Sequence, residues 1–228
     1  MDAQILIHRL VARLAHDVKN PLSVVNTNLQ YLREGLTDPA MGEAVDDSLA
    51  ALAQGLRIIE DLVDLGAIQN GMLRPVRGRF SLAGLEAPLR EEVAPLLGRR
   101  TLAIELADCE LESDEVLLRR ALASLLEHGI KHTPGGRGVT LRGTPRPDGL
   151  TIEMQDGGQA FDPDRPASIL LDLPSAKEQS SGYRSDQGIA LFFAGVVVRA
   201  LGGEVTLEPR EDQQGVVFRL RFPREILR

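Results

Sequence analysis

The residues best placed to do chemistry sit near the start of the chain: His16, with Asp17 beside it and Asn20 four positions on. On a helix, residues four apart share a face, so Asn20 stands one turn from the imidazole. An imidazole is a competent nucleophile when an acidic neighbour takes one ring proton and orients the other nitrogen. Arg9, Arg13, Lys19 and Ser23 fall on the same predicted face. Their cations would favour a phosphoryl group or an acidic partner. Position alone leaves a second reading open, a solvated histidine on a mixed charged surface. His8 and His132 have no ligand partners at metal-binding spacing, and no metal is expected. Cys109 lies between Asp108 and Glu110, where acids favour an unreactive thiol. There is no Gly-x-Ser-x-Gly elbow, no Walker loop and no His-Glu-x-x-His.

These side chains need rigid elements to hold them. Leu10, Leu14, Val18, Pro21, Val25, Leu29, Leu32 and Leu36 recur in steps of four and three, a helical seam. Pro21 on that seam is expected to kink the helix one turn after Asp17. The helix should stop near Gly35, and Thr37-Asp38-Pro39 signals a restart. Val45, Leu49, Leu52, Leu56, Ile59 and Val63 form a second seam that ends near Asn70-Gly71. Two such helices make an antiparallel hairpin. One hairpin cannot cover both apolar stripes, so a homodimeric four-helix bundle is expected. From Arg74 the texture turns α+β. Strands are expected at Thr101–Leu106, Val139–Arg142, Leu150–Gln155, Glu204–Glu208 and Val216–Phe222, antiparallel in one layer. Helices at Glu115–Ile130 and Ile189–Leu201 form the other. Phe161–Gln187 has no clear period and the length of a functional lid. The chain thus divides into residues 1–73 and 74–228.

The 228 residues carry a net charge of −7 and a single Cys. One cysteine excludes a disulfide framework and a Cys-based zinc site. The acidic balance argues against nucleic-acid binding. No stretch reaches the ~18 apolar residues of a membrane span, and no signal peptide is expected. A soluble cytoplasmic protein without a sensor or membrane segment is expected. The acid is concentrated on the second helix: Asp38, Glu43, Asp46, Asp47, Glu60, Asp61 and Asp64 stand against Arg57 alone.

Leu14-Ala15-His16-Asp17-Val18-Lys19-Asn20-Pro21-Leu22 resembles the phospho-acceptor box of two-component histidine kinases, and Asp61–Leu65 through Asn70–Leu73 resembles the end of that family's dimerization hairpin. The resemblance runs from about Val11 to Pro223. It implies that His16 is phosphorylated on a ring nitrogen, that Asp17 is its acid–base partner, and that Asn20 positions water to dephosphorylate a response regulator. Residues 74–228 resemble the family's ATP-binding catalytic domain, an α/β sandwich. Two asparagines are expected there at Ser124 and His128, the second a Mg²⁺ ligand, and an imidazole replaces an amide oxygen poorly. Lys131 and Thr133-Pro134 fit the pattern. Asp156-Gly157-Gly158 matches the segment whose Asp accepts from the adenine amine, although Ala160 replaces its last glycine. In the second glycine-rich box only Gly188 matches, and Asp186 places a negative charge near the phosphates. The resemblance therefore implies cofactor contacts at Asp156, Gly158, Lys131 and Gly188, and leaves ATP and Mg²⁺ doubtful. The expected function is phosphoryl exchange between His16 and a receiver domain, with weak or absent autophosphorylation. An active ATP-dependent autokinase and a non-catalytic scaffold remain as alternatives.

Overall fold

A computed structural model describes residues 3–69, 74–158, 185–210 and 215–228. The chain divides into two units, Met1–Leu73 and Arg74–Arg228.

The first unit is a helical hairpin of α1 (Ala3–Gly35) and α2 (Pro39–Gln69). The expected restart is present: Asp38 Oδ1 accepts from the amides of Ala40 (2.9 Å) and Met41 (3.2 Å), ahead of Pro39 at the first helical position. Helix α1 continues through Pro21. Two ion pairs tie the helices together, Lys19–Glu60 (2.8 Å) and Arg33–Asp46 (2.7 Å). They lie equal distances along both helices, so the antiparallel register holds between them without a slip. Lys19 therefore reaches α2 instead of standing on the His16 face, which corrects the sequence reading. Among the positions of α1 whose burial is described, Val11, Ala15, Lys19, Leu22, Asn26 and Leu29 are buried or half-buried. Most of the predicted seam is outside that set. Leu14, Val18, Val25 and Leu32 are 63%, 44%, 45% and 52% exposed. The helix thus has two apolar stripes, and the hairpin covers one.

The second unit is built on a five-stranded sheet in the order β2-β4-β5-β7-β6. Its strands are β2 (Thr101–Leu106), β4 (Gly138–Arg146), β5 (Gly149–Gln155), β6 (Glu204–Pro209) and β7 (Val216–Pro223). The expectation of a wholly antiparallel layer fails at one pair. Strand β2 runs parallel to β4, while β4-β5, β5-β7 and β6-β7 are antiparallel. The cause is the crossover through α4 (Glu115–His132), which returns the chain to the sheet edge in the same direction. Two short strands, β1 (Gly78–Ser81) and β3 (Glu110–Ser113), pair apart from this sheet. Helices α3 (Glu86–Val93) and α5 (Ser185–Ala200) flank α4.

Alternation along the strands separates the two faces. Ile104, Leu141, Ile152, Met154, Phe218 and Leu220 are buried, as are Leu118, Leu122, Leu125 and Ile130 of α4. The other face carries Glu105, Arg142, Glu153 and Arg219 in one cross-strand row. Arg142 pairs with Glu105 (2.8 Å), and Arg219 with Glu153 (2.6 Å) and Glu208 (2.7 Å). Residues Leu191–Val198 of α5 are all buried. Among the described residues no helix is long and apolar enough to cross a membrane.

Candidate functional site

His16 stands on α1 with its side chain 69% exposed. Its Nδ1 lies 3.3 Å from Asp17 Oδ1. The tautomer with its proton on Nδ1 donates to this carboxylate and leaves the Nε2 lone pair for attack. Asp17 Oδ2 also accepts from Arg13 Nε at 3.2 Å. The hydrogen bonds from His16 and Arg13 hold the Asp17 carboxyl below its usual range, so it stays an acceptor at neutral pH. Asn20 is exposed one turn on. Downstream, Ser23 Oγ donates to the Lys19 carbonyl (2.9 Å) and Thr27 Oγ1 to that of Ser23 (3.0 Å). Both hydroxyls donate to backbone carbonyls of their own helix, and Ser23 is exposed.

The second constellation centres on Asp156, buried at the end of β5 with 2% exposure. Its Oδ1 accepts from the amides of Gly158 (3.1 Å) and Val216 (3.0 Å). Burial pushes the carboxyl above its usual value, and those two amides, then the charges of His132 and Arg210, work against the shift. The adjoining backbone is held from three sides. Thr133 Oγ1 accepts from the Gly157 amide (3.0 Å), Arg137 donates to the Gly157 carbonyl (3.1 Å), and Arg210 donates to the Asp156 carbonyl (2.9 Å). Arg100 Nε donates to the Thr133 carbonyl. Gly215 closes against the Asp156 carbonyl at φ +120°, where a Cβ would lie 2.3 Å from that oxygen. A Cβ on Gly158 would meet the His132 carbonyl at 3.0 Å.

His128 and His132 lie on the last turns of α4, their ring centroids 4.2 Å apart. His128 also meets the Phe218 ring edge-on at 5.6 Å. It is 8% exposed, and its Nδ1 has no hydrogen-bond partner. Burial, then the charges of His132 and Lys131, drive its pKa well below the ordinary value. It is therefore a neutral imidazole carrying an unsatisfied nitrogen, at a cost of about 1–3 kcal/mol. Lys131 is half-buried beside it.

The fold thus brings Asp156, Gly158 and the end of α4 together. Gly188 lies in the first turn of α5; Ala160 falls outside the described residues, as does the expected lid Phe161–Gln187 except for its last three residues, which are the start of α5. Sequence reasoning missed Arg100, Arg137, Arg210 and Gly215. Each acts through a partner at least 20 positions away in the chain, so no local spacing marks it.

Both units of the chain are similar to known proteins. Residues 7–71 match the His Kinase A (phospho-acceptor) domain. Residues 113–226, half of the chain, match the histidine kinase-, DNA gyrase B- and HSP90-like ATPase family. Sensor protein CreC of Escherichia coli (strain K12) is 25% identical over 226 residues, covering 98% of this chain and 47% of that protein. Autoinducer 2 sensor kinase/phosphatase LuxQ of Vibrio vulnificus (strain YJ016) is 24% identical over 225 residues, covering 94% of this chain and 26% of that one. The chain therefore spans about half or less of the length of these relatives. Two solved structures share the fold. Full-length ShkA in complex with AMPPNP has a TM-score of 0.70 at 21% identity, covering 94% of this chain and 45% of its own. Histidine kinase AdeS of Acinetobacter baumannii has a TM-score of 0.63 at 16% identity, covering 92% and 98%. The phospho-acceptor match over the hairpin and the ATPase match over the sheet domain place this chain in the two-component histidine kinase family.

Proposed function

We propose that His16 exchanges a phosphoryl group with the receiver aspartate of a response regulator. The observation that supports this most directly is the exposed imidazole with Nδ1 against Asp17. In the step we envisage, the Nε2 lone pair attacks the phosphorus of the receiver's aspartyl phosphate. The bond from phosphorus to the carboxylate oxygen breaks, and the aspartate leaves with its electron pair. Asp17 stabilises the positive charge that develops on the ring. The reverse step returns the group. Asn20, one turn away, positions water for hydrolysis of the receiver's phosphate. The uncovered stripe of Leu14, Val18, Val25 and Leu32 packs a second copy of the hairpin, giving a homodimeric four-helix bundle.

Incubating the chain with a phosphorylated cognate receiver tests this. Acid-labile label should appear on the wild type and be absent from His16→Ala. Equal label on both would end the proposal.

A second reading has support of its own. The ATPase-family match and the buried Asp156 favour an active autokinase that takes its phosphoryl group from ATP. Here Asp156, whose Oδ1 is held by two amides, uses Oδ2 to accept from the adenine amine, and Gly158 gives the base close approach. Label from γ-labelled ATP alone, lost in His16→Ala, would establish this reading over weak autophosphorylation.

A further inference from the structure

Magnesium is the cation that an ATPase-like domain implies beside a triphosphate, and the residues at its expected seat do not suit it. Ser124 offers an oxygen, but His128 offers only ring nitrogens, whereas Mg²⁺ demands oxygen ligands in near-octahedral array. The ring is also enclosed. It is 8% exposed, 4.2 Å from the His132 ring and edge-on to Phe218. Coordinating an ion would require leaving both contacts. Burial is the first reason that the His128 ring resists positive charge, and Lys131 follows on the same helical turn. Among the described residues no three His, Cys, Asp or Glu side chains converge to hold a metal.

We infer that this site takes a nucleotide as its free polyphosphate anion, without a divalent cation, Lys131 at the end of α4 meeting the phosphate charge. The inference rests on the reading of Asp156 as the adenine contact. It goes further in naming the ligand species. A nucleotide held in this way carries no metal bridge between its phosphates.

Calorimetric titration of ATP into the full chain, once in EDTA and once in excess Mg²⁺, tests this. The expected result is binding in EDTA as tight as, or tighter than, binding in Mg²⁺. Lys131→Gln should weaken ATP in EDTA by about tenfold while far-UV circular dichroism is unchanged. His128→Asn restores an amide oxygen and should make binding tighten about tenfold with Mg²⁺. The proposal is overturned if wild-type binding tightens tenfold or more on adding Mg²⁺, if no ATP binds in either buffer, or if Lys131→Gln binds ATP in EDTA as the wild type does. An Asp156→Asn variant that binds ATP unchanged would remove the adenine reading and leave metal independence standing. Phosphoryl exchange at His16 is measured without nucleotide, so its failure is separate from both.

Discussion

The two histidine sites show how one side chain is set to opposite tasks. His16 is solvated and leans on a carboxylate, whereas His128 is sealed under His132 and Phe218. Replacing Asp17 with Asn removes the charge that favours the imidazolium and the proton on Nδ1. We expect phosphoryl exchange to slow by about 10²-fold, with binding of the receiver unchanged, in single-turnover transfer. For His128 the sign is set by burial. Its folded pKa lies below its unfolded value near 6.5. The unfolded chain therefore binds more protons once pH falls below about 6.5, and stability drops by up to about 1.4 kcal/mol per pH unit. Asp156 has the opposite linkage in a lower window. Its raised carboxyl costs stability as pH rises through the unfolded value near 4. Urea midpoints between pH 7.5 and 5.5 isolate the histidine, and His128→Leu should flatten the decline. An equal decline in that variant would assign it elsewhere. The nearness of His16, Asp17 and Asn20 was legible because helical spacing relates them, whereas their role was implied by the resemblance of the surrounding box. Lys19 was misread because a long flexible side chain reaches beyond its own helix face to Glu60.

Elements were legible where a period had room to repeat. The hairpin helices, α4 and the longer strands are read from spacing, and the Asp38 cap from its residue types. Strands β1 and β3 span four residues each, too short to display alternation. Helix α3 contains Pro88, a residue type that interrupts a helical period. The proline occupies the first turn, where a missing N–H leaves no intrahelical bond unmade. One residue joins the start of α4 to the chain arriving from the hairpin. Asp114 Oδ1 accepts from Leu117 N (3.0 Å) as the helix cap, and Oδ2 accepts from Val76 N (2.8 Å). Asp114→Asn keeps the capping oxygen and loses the second acceptor, for a cost of about 1 kcal/mol. Asp114→Ala loses both, about 2 kcal/mol in all. Urea denaturation should rank the wild type above Asn and Asn above Ala, and equal values for the two variants would deny the bond to Val76. Gly215→Ala should be more severe, above about 3 kcal/mol, because its Cβ would enter the Asp156 carbonyl at a positive φ.

At the scale of the whole molecule, the decisive feature is the apolar stripe left uncovered on α1. Isolated exposed hydrophobes need no explanation, but Leu14, Val18, Val25 and Leu32 follow one another at helical spacing along a single line. The hairpin's internal contact uses a different set, Val11, Ala15, Leu22 and Leu29. Burying a Leu or Val side chain fully contributes about 1.5–3 kcal/mol. Two copies of the stripe could therefore offset the about 4–15 kcal/mol lost in association. Paired glutamates at Val25 and Leu32 would place like charges in that interface, away from His16 and from the internal face. In sedimentation equilibrium the wild type should run at twice the chain mass, and the Val25→Glu/Leu32→Glu variant at the single-chain mass. Its helix content should persist, since Lys19–Glu60, Arg33–Asp46 and the internal apolar face are untouched. A wild type of single-chain mass, or a double variant that still dimerizes, would reject the bundle. The variant also separates assembly from chemistry. If His16 accepts from the receiver using groups of its own helix alone, the monomer should still take label, whereas an acceptor site completed by the second copy should lose it.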